Sequence, residues 1–119
     1  MPVRVLIVDD HESFRRLARR MLVASGFTVV GEAVDGASAI RQAAVLSPDF
    51  VLLDVMLPDR SGVDVARELA AERGGPRVVL TSSRSRSDFG SAFEWPGGCE
   101  FIPKHELSRA SLGALLEGS

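Results

Sequence analysis

The 119-residue chain is poor in several things at once. A single cysteine, Cys99, excludes an intramolecular disulfide and every multi-cysteine metal pattern, and suits a reducing cytosol. Long apolar runs are missing: Phe50 to Leu53 is typical, far below the roughly 20 residues that a bilayer-spanning helix needs. Asp9 and Asp10 interrupt the apolar run that starts at Val3, so the amino terminus does not read as a signal peptide. Net charge is only −2, so bulk electrostatics make no case for nucleic acid or an anionic membrane. Lysine is nearly absent: of 14 basic residues only Lys104 is not arginine. Under so strong a bias towards arginine, a surviving lysine points to a place that needs lysine, against the plainer explanation of a chance leftover.

What is present is ordinary globular material, 45% apolar and 25% charged. The length suits one domain, expected over 1–119, and folding should bury roughly two-thirds of the extended surface. Short β-branched and apolar runs occur at Val3–Val8, Thr28–Glu32, Phe50–Leu53, Arg77–Leu80 and Glu100–Ile102. Between them, residues 12–24, 36–46, 63–72 and 107–116 carry apolar residues at helical spacing, the second opened by Asp35 as N-cap. Gly, Pro and Asp signals follow the helices, as in Ser47-Pro48-Asp49 and Gly74-Gly75-Pro76. Strands alternating with helices imply parallel pairing through right-handed crossovers. The strands are almost continuously apolar, as a sheet covered on both faces requires. The expected fold is a doubly wound α/β sandwich with five strands. Only 82–98, rich in Ser and Gly, patterns weakly; Phe89, Ala92 and Phe93 suggest a short helix ending before Pro96.

In open parallel sheets the functional crevice lies beyond the carboxyl ends of the strands. Strand one ends in Asp9-Asp10, strand three in Asp54, strand four in Thr81-Ser82 and strand five in Pro103-Lys104. If strands one and three are neighbours, three carboxylates converge, and such a cluster stays ionised only with a cation. Oxygen-only ligands suit Mg²⁺. A hydroxyl and an ammonium beside that ion suit a phosphoryl group, and Asp54 can be the nucleophile that takes it. Singly, each signal has a bland explanation: a helix N-cap, a turn former, a strand threonine, a surface lysine. Four of them at the ends of four strands make coincidence a poor account.

These residues closely resemble the receiver domains of two-component response regulators, over essentially the whole chain. The resemblance runs through Val5-Leu6-Ile7-Val8-Asp9-Asp10-His11, Asp49-Phe50-Val51-Leu52-Leu53-Asp54, Leu57-Pro58-Asp59-Arg60-Ser61-Gly62, Val79-Leu80-Thr81-Ser82 and Phe101-Ile102-Pro103-Lys104. It implies a sheet order of 2-1-3-4-5. It also implies that Asp54 takes a phosphoryl group from a phosphohistidine on a sensor histidine kinase. Asp9, Asp10 and Asp54, with the backbone carbonyl of Met56, would hold Mg²⁺, while Thr81 and Lys104 would contact the phosphoryl oxygens. Thr81 and Phe101 would relay the change to the surface of the fourth helix, strand five and the last helix. The domain would be a cytoplasmic phosphoacceptor rather than an enzyme beyond its own phosphorylation and dephosphorylation.

Departures from the family pattern are local. Most receivers place a proline after the lysine, whereas here His105 follows and Pro103 precedes. Met56 and Ser83 occupy positions that tune phosphoryl lifetime, and the bulk of Met56 suggests slow self-dephosphorylation. The main alternative is a receiver-like interaction module that works without phosphorylation; the intact acidic set, Thr81 and Lys104 argue against it. An aspartate-based phosphatase would want a second aspartate where Met56 stands, and a flavodoxin-like carrier would meet repulsion from Asp9 and Asp10. The expected partners are the kinase and a downstream protein or carboxyl-terminal output domain, with homodimerisation open. No basic recognition helix is present, so direct binding of nucleic acid by these residues is not expected, nor is membrane insertion.

Overall fold

The computed structural model describes residues 2–72, 74–90 and 95–117. Strands β1 (Arg4–Val8), β2 (Thr28–Ala33), β3 (Phe50–Asp54), β4 (Arg77–Thr81) and β5 (Glu100–Phe101) form one sheet in the order β2-β1-β3-β4-β5. Every pairing is parallel. The described residues include four α-helices: α1 (Glu12–Ala24), α2 (Gly36–Leu46), α3 (Gly62–Ala71) and α4 (Arg109–Glu117). None is long and apolar enough to cross a membrane.

Because side chains alternate across a strand, continuous apolar runs feed two cores. Leu6, Val8, Val51 and Leu53 pack with Ala39 of α2 and Val63, Ala66 and Leu69 of α3. Val5, Ile7, Phe50 and Leu52 face the other way, onto Ala18 and Leu22 of α1 and Leu112 and Leu115 of α4. Each buried Val, Leu, Ile or Phe among them contributes about 1.5–3 kcal/mol by leaving water. The fully buried Leu52 and Leu53 thus fix β3, and with it the position of Asp54, from both faces.

Local chemistry sets the helix starts. Asp35 accepts the Ser38 amide at 2.8 Å while Ser38 Oγ takes the Asp35 amide at 3.3 Å, a reciprocal cap for α2. Ser61 accepts the Val63 amide at 3.1 Å to begin α3. Gly62 follows, with its amide donating to the Val55 carbonyl at 2.6 Å. A Cβ at Gly62 would overlap the Asp54 carbonyl oxygen, so only glycine lets α3 start this close to β3. Gly62→Ala is therefore expected to cost about 3 kcal/mol, read as a lower urea midpoint with an unchanged slope. A midpoint within experimental error of wild type would contradict the close approach.

The helix expected before Pro96 lies largely outside the described residues. Arg86–Phe89 form one 3₁₀ turn. Ser85 and Asp88 bond each other and each other's backbone instead of extending it, and Gly90 leaves the turn at φ 79°. Ala92 and Phe93 lie outside the described residues. The carboxyl-terminal helix begins at Arg109, two residues later than the pattern suggested, because Lys104–Glu106 form a separate 3₁₀ turn. Buried Leu107 still packs into the core, which explains its apolar signal.

Candidate functional site

Register places the site before any side chain is considered. Val8 pairs with Leu53, so the next residues, Asp9 and Asp54, leave the sheet side by side. Asp54 itself pairs with Thr81, and the Val55 amide donates to the Thr81 carbonyl at 2.9 Å. The Lys104 amide donates to the Ser82 carbonyl at 2.8 Å, which carries the lysine to the same edge.

The side chains meet there. Lys104 Nζ lies 2.6 Å from Asp9 Oδ2 and 3.3 Å from Asp54 Oδ2. Its ammonium also sits 4.3 Å from the centre of the Phe14 ring, an added attraction for a cation. Asp54 Oδ1 accepts the Met56 amide at 3.0 Å. Asp9 Oδ1 accepts the His11 amide at 2.8 Å, and Arg15 donates to the Asp9 carbonyl at 2.8 Å. Asp9, Asp10, His11 and Asp54 each offer a donor atom within 4.8 Å of the others. Thr81 Oγ1 is buried and has no hydrogen-bond partner. A cleft of about 570 Å³ opens over this edge, lined among others by Asp10, Phe14, Asp54, Met56, Ser83 and Lys104.

Electrostatics divide the two buried carboxylates. Burial pushes Asp54 up to about 6, with neighbouring Asp9 adding to the rise and the Met56 amide and Lys104 ammonium opposing it. Burial also pushes Asp9 upwards, but the Lys104 ammonium and the His11 amide outweigh it and hold Asp9 below the usual carboxylate range. Asp10 is the outermost carboxylate, its side chain 36% exposed. Lys104 is thus shared by Asp9 and Asp54, with Asp10 beside them, which leaves the edge short of positive charge. The chemistry of such an edge suits a hard cation and a group whose oxygens can meet an ammonium.

The structure brings together Asp9, Asp10, Asp54 and Lys104, and sets Thr81 beside Asp54 in register. The Met56 side chain is exposed and borders the cleft. Phe101 pairs with Leu80 and stacks in an aromatic group, 4.7 Å from the Trp95 ring and 6.1 Å from Phe89. Sequence reasoning gave no site role to Phe14, His11 or Asp59. Phe14 sits four residues after Asp10, in the first turn of α1, a spacing that could have marked it. Asp59 accepts the Gly36 and Ala37 amides at 2.7 and 3.0 Å, tying the loop after Asp54 to the amino end of α2. Nothing in its local sequence announces so distant a partner.

Compared with known proteins, residues 5–116 match the family described as "Response regulator receiver domain". Among curated proteins, the chain is 41% identical over 105 residues to protein-glutamate methylesterase/protein-glutamine glutaminase 5 of Myxococcus xanthus, covering 87% of this chain and 30% of that protein. It is 43% identical over 86 residues to the transcriptional regulatory protein PdtaR of Mycobacterium tuberculosis, covering 72% of this chain and 42% of the relative. The chain thus spans less than half the length of either. Among solved structures, the signal receiver domain of the putative response regulator NarL from Mycobacterium tuberculosis superposes with a TM-score of 0.81 at 29% identity, covering 98% of this chain and 94% of that one.

Proposed function

Because the chain belongs to the response regulator receiver domain family, we propose that Asp54 accepts a phosphoryl group from a phosphohistidine on a sensor histidine kinase, and that the modified domain drives a downstream output. One observation carries the residue assignment. A nearly buried carboxylate shares its sheet edge with an ammonium 3.3 Å away and with a buried hydroxyl, Thr81 Oγ1, that has no partner. A phosphoryl group on Asp54 is the ligand that such a lysine and hydroxyl are suited to meet.

The donor chemistry fits Mg²⁺, since the crowded carboxylates offer hard oxygens and lack neutralising charge. Asp9, Asp10 and Asp54, with the Met56 carbonyl, would hold it. Bound there, the ion supplies positive charge to the oxygens of the transferring group. Asp54 attacks phosphorus as the ionised carboxylate. The new O–P bond forms as the P–N bond to the kinase imidazole breaks, and the electron pair returns to that nitrogen. The Met56 amide keeps Asp54 Oδ1 fixed, so little reorientation precedes attack. Lys104 exchanges part of its hold on Asp54 for a phosphoryl oxygen. Its point charge follows that shift more readily than an arginine fork.

Thr81 carries the change outwards. Its hydroxyl gains a partner only when Asp54 is modified, and its movement alters the ground on which Phe101 and Trp95 pack. Thr81→Val is expected to leave the unmodified domain as stable, or about 1 kcal/mol more stable, because an unsatisfied buried hydroxyl is removed. The same variant should lose the propagated response at Phe101. A variant destabilised by more than about 2 kcal/mol would mean that the hydroxyl already has a structural partner.

The reading places the domain in the cytoplasm, acting as a phosphoacceptor whose own chemistry is confined to gaining and losing the phosphoryl group. Titration with beryllofluoride and Mg²⁺, followed by amide NMR on wild type and Asp54→Asn, tests it. Shifts are expected near Asp9, Asp54, Thr81 and Lys104, spreading to Phe101, and should vanish in the variant. A silent wild type would overturn the proposal.

A further inference from the structure

Phe14 has no task in the phosphoacceptor scheme, yet its ring faces the ammonium on which that scheme depends. It lies in the first turn of α1, on the stripe that continues through buried Ala18 and Leu22. Those two residues pack into the core, and the same stripe, one turn earlier, brings Phe14 up to the strand ends. The ring is half-buried. It packs against the core cluster and also lines the cleft over Asp54.

Lys104 Nζ stands over this ring, 4.3 Å from its centre. Its other partners are Asp9, in an ion pair at 2.6 Å, and Asp54, through a hydrogen bond at 3.3 Å. The ammonium is thus gripped from three places: the ends of β1 and β3, and the first turn of α1. His11 offers no substitute, since its Nδ1 faces Asp9 and Asp10, at 3.1 and 3.2 Å, and leaves Asp54 to Lys104. A leucine at position 14 would fill similar space against the core, but it would offer a cation no electron-rich face.

We propose that Phe14 is a positioning residue for phosphoryl transfer: its π-face holds the Lys104 ammonium beside Asp54, where the oxygens of the incoming group meet it. The proposal rests on the reading of Asp54 as the phosphoacceptor. An aromatic face suits the task because it attracts a cation without adding negative charge to an edge already rich in carboxylates. It also keeps water from one side of the ammonium, which strengthens the charge that the phosphoryl oxygens encounter. Lysine carries its charge on a flexible four-carbon stem. Without the ring, that stem lets the ammonium swing into water, away from the oxygens on which charge develops.

Lys104 is the only lysine of the chain, so labelling lysine with ¹⁵N gives a single side-chain ammonium signal. In the unmodified wild type the ring should shift its protons upfield. That shift should be lost in Phe14→Leu, which keeps apolar bulk without a ring. Phosphorylation by phosphoramidate at saturating Mg²⁺ is then followed for wild type, Phe14→Leu, Phe14→Tyr, and chains carrying mono-, tri- or pentafluorophenylalanine at position 14. Fluorine drains electron density from the ring face and leaves its shape nearly intact. The rate should fall stepwise with fluorine content, by about fivefold for the pentafluoro ring and for Phe14→Leu, and Phe14→Tyr should stay near wild type. Mg²⁺ affinity should not fall, because oxygen atoms hold that ion. A rate that stays flat across the fluorinated series, or a wild-type signal with no upfield shift, overturns the role of Phe14 alone. A parallel fall in Mg²⁺ affinity does so too, since it marks the ring as support for the whole edge rather than for the ammonium. A wild type that shows the ring shift but takes no phosphoryl group overturns the phosphoacceptor reading, and the proposal with it.

Discussion

Lys104→Met is expected to destabilise the metal-free domain by about 3–5 kcal/mol at pH 7, the largest single effect at the site. The reason is the company the ammonium keeps. It is the only cation within ion-pair distance of both Asp9 and Asp54 among the described residues, and Asp9 is completely buried. Removing it strands one buried carboxylate and leaves a second against it. Two conditions should relieve the loss. Lower pH lets Asp54 take up a proton, and Mg²⁺ brings the missing positive charge. Urea denaturation at pH 7, with chelator and then with excess Mg²⁺, reads both. A variant within about 1 kcal/mol of wild type under chelation would show that Lys104 is a solvated charge rather than the counter-ion of the site.

Asp54→Asn should act in the opposite direction. Burial raises the Asp54 carboxyl to about 6. A raised carboxylate binds its proton more tightly in the folded chain than in the unfolded one. The domain therefore loses stability as pH climbs from about 4 through about 6, by about 3 kcal/mol in all and about 1 kcal/mol between pH 5 and 7. Asparagine abolishes that slope and removes a buried charge, so the variant should be more stable than wild type at pH 7 without metal. Asp9 does not disturb this window. Its carboxyl is held below 3.8, so its stabilising contribution is full above that value and is lost only in stronger acid. Urea midpoints of both proteins at pH 5 and pH 7 under chelation give the comparison. A wild type whose stability rises over that interval by more than the variant's would show Asp54 to be an ordinary salt-bridged aspartate.

The two effects describe a site held in electrostatic tension. Two buried carboxylates share one lysine with a third beside them, a threonine hydroxyl waits without a partner, and the strands beneath are fixed from both faces by buried aliphatic residues. The scaffold holds the tension, and the phosphoryl group with its ion would release it.

How much of this was readable in advance follows from the range of the forces involved. The doubly wound sheet was legible because each strand is apolar on both faces and each helix repeats its own period. The site was legible because its residues end strands, and strand ends in a parallel sheet share one edge. Asp35 could be read as a cap because its partner, Ser38, is three residues away. Arg86–Phe89 form a single 3₁₀ turn because bonds between Ser85 and Asp88 compete with the backbone over a few residues, a balance that periodicity does not weigh. Asp59 and Phe14 were missed because their partners, the α2 amides and the Lys104 ammonium, lie 22 or more residues away and no local pattern encodes them. His11 was visible only as part of a motif, since its Nδ1 contacts depend on a backbone turn rather than on spacing.

The most direct test of the central claim is chemical. The chain is incubated with a small phosphoryl donor such as phosphoramidate, with and without Mg²⁺, then reduced with borohydride, which converts an aspartyl phosphate into homoserine. Peptide mass spectrometry should find homoserine at position 54, only with the divalent ion present, and nowhere in Asp54→Asn. Incorporation at another residue, or none in a folded wild-type chain with Mg²⁺ present, would contradict the assignment of Asp54 as the phosphoacceptor.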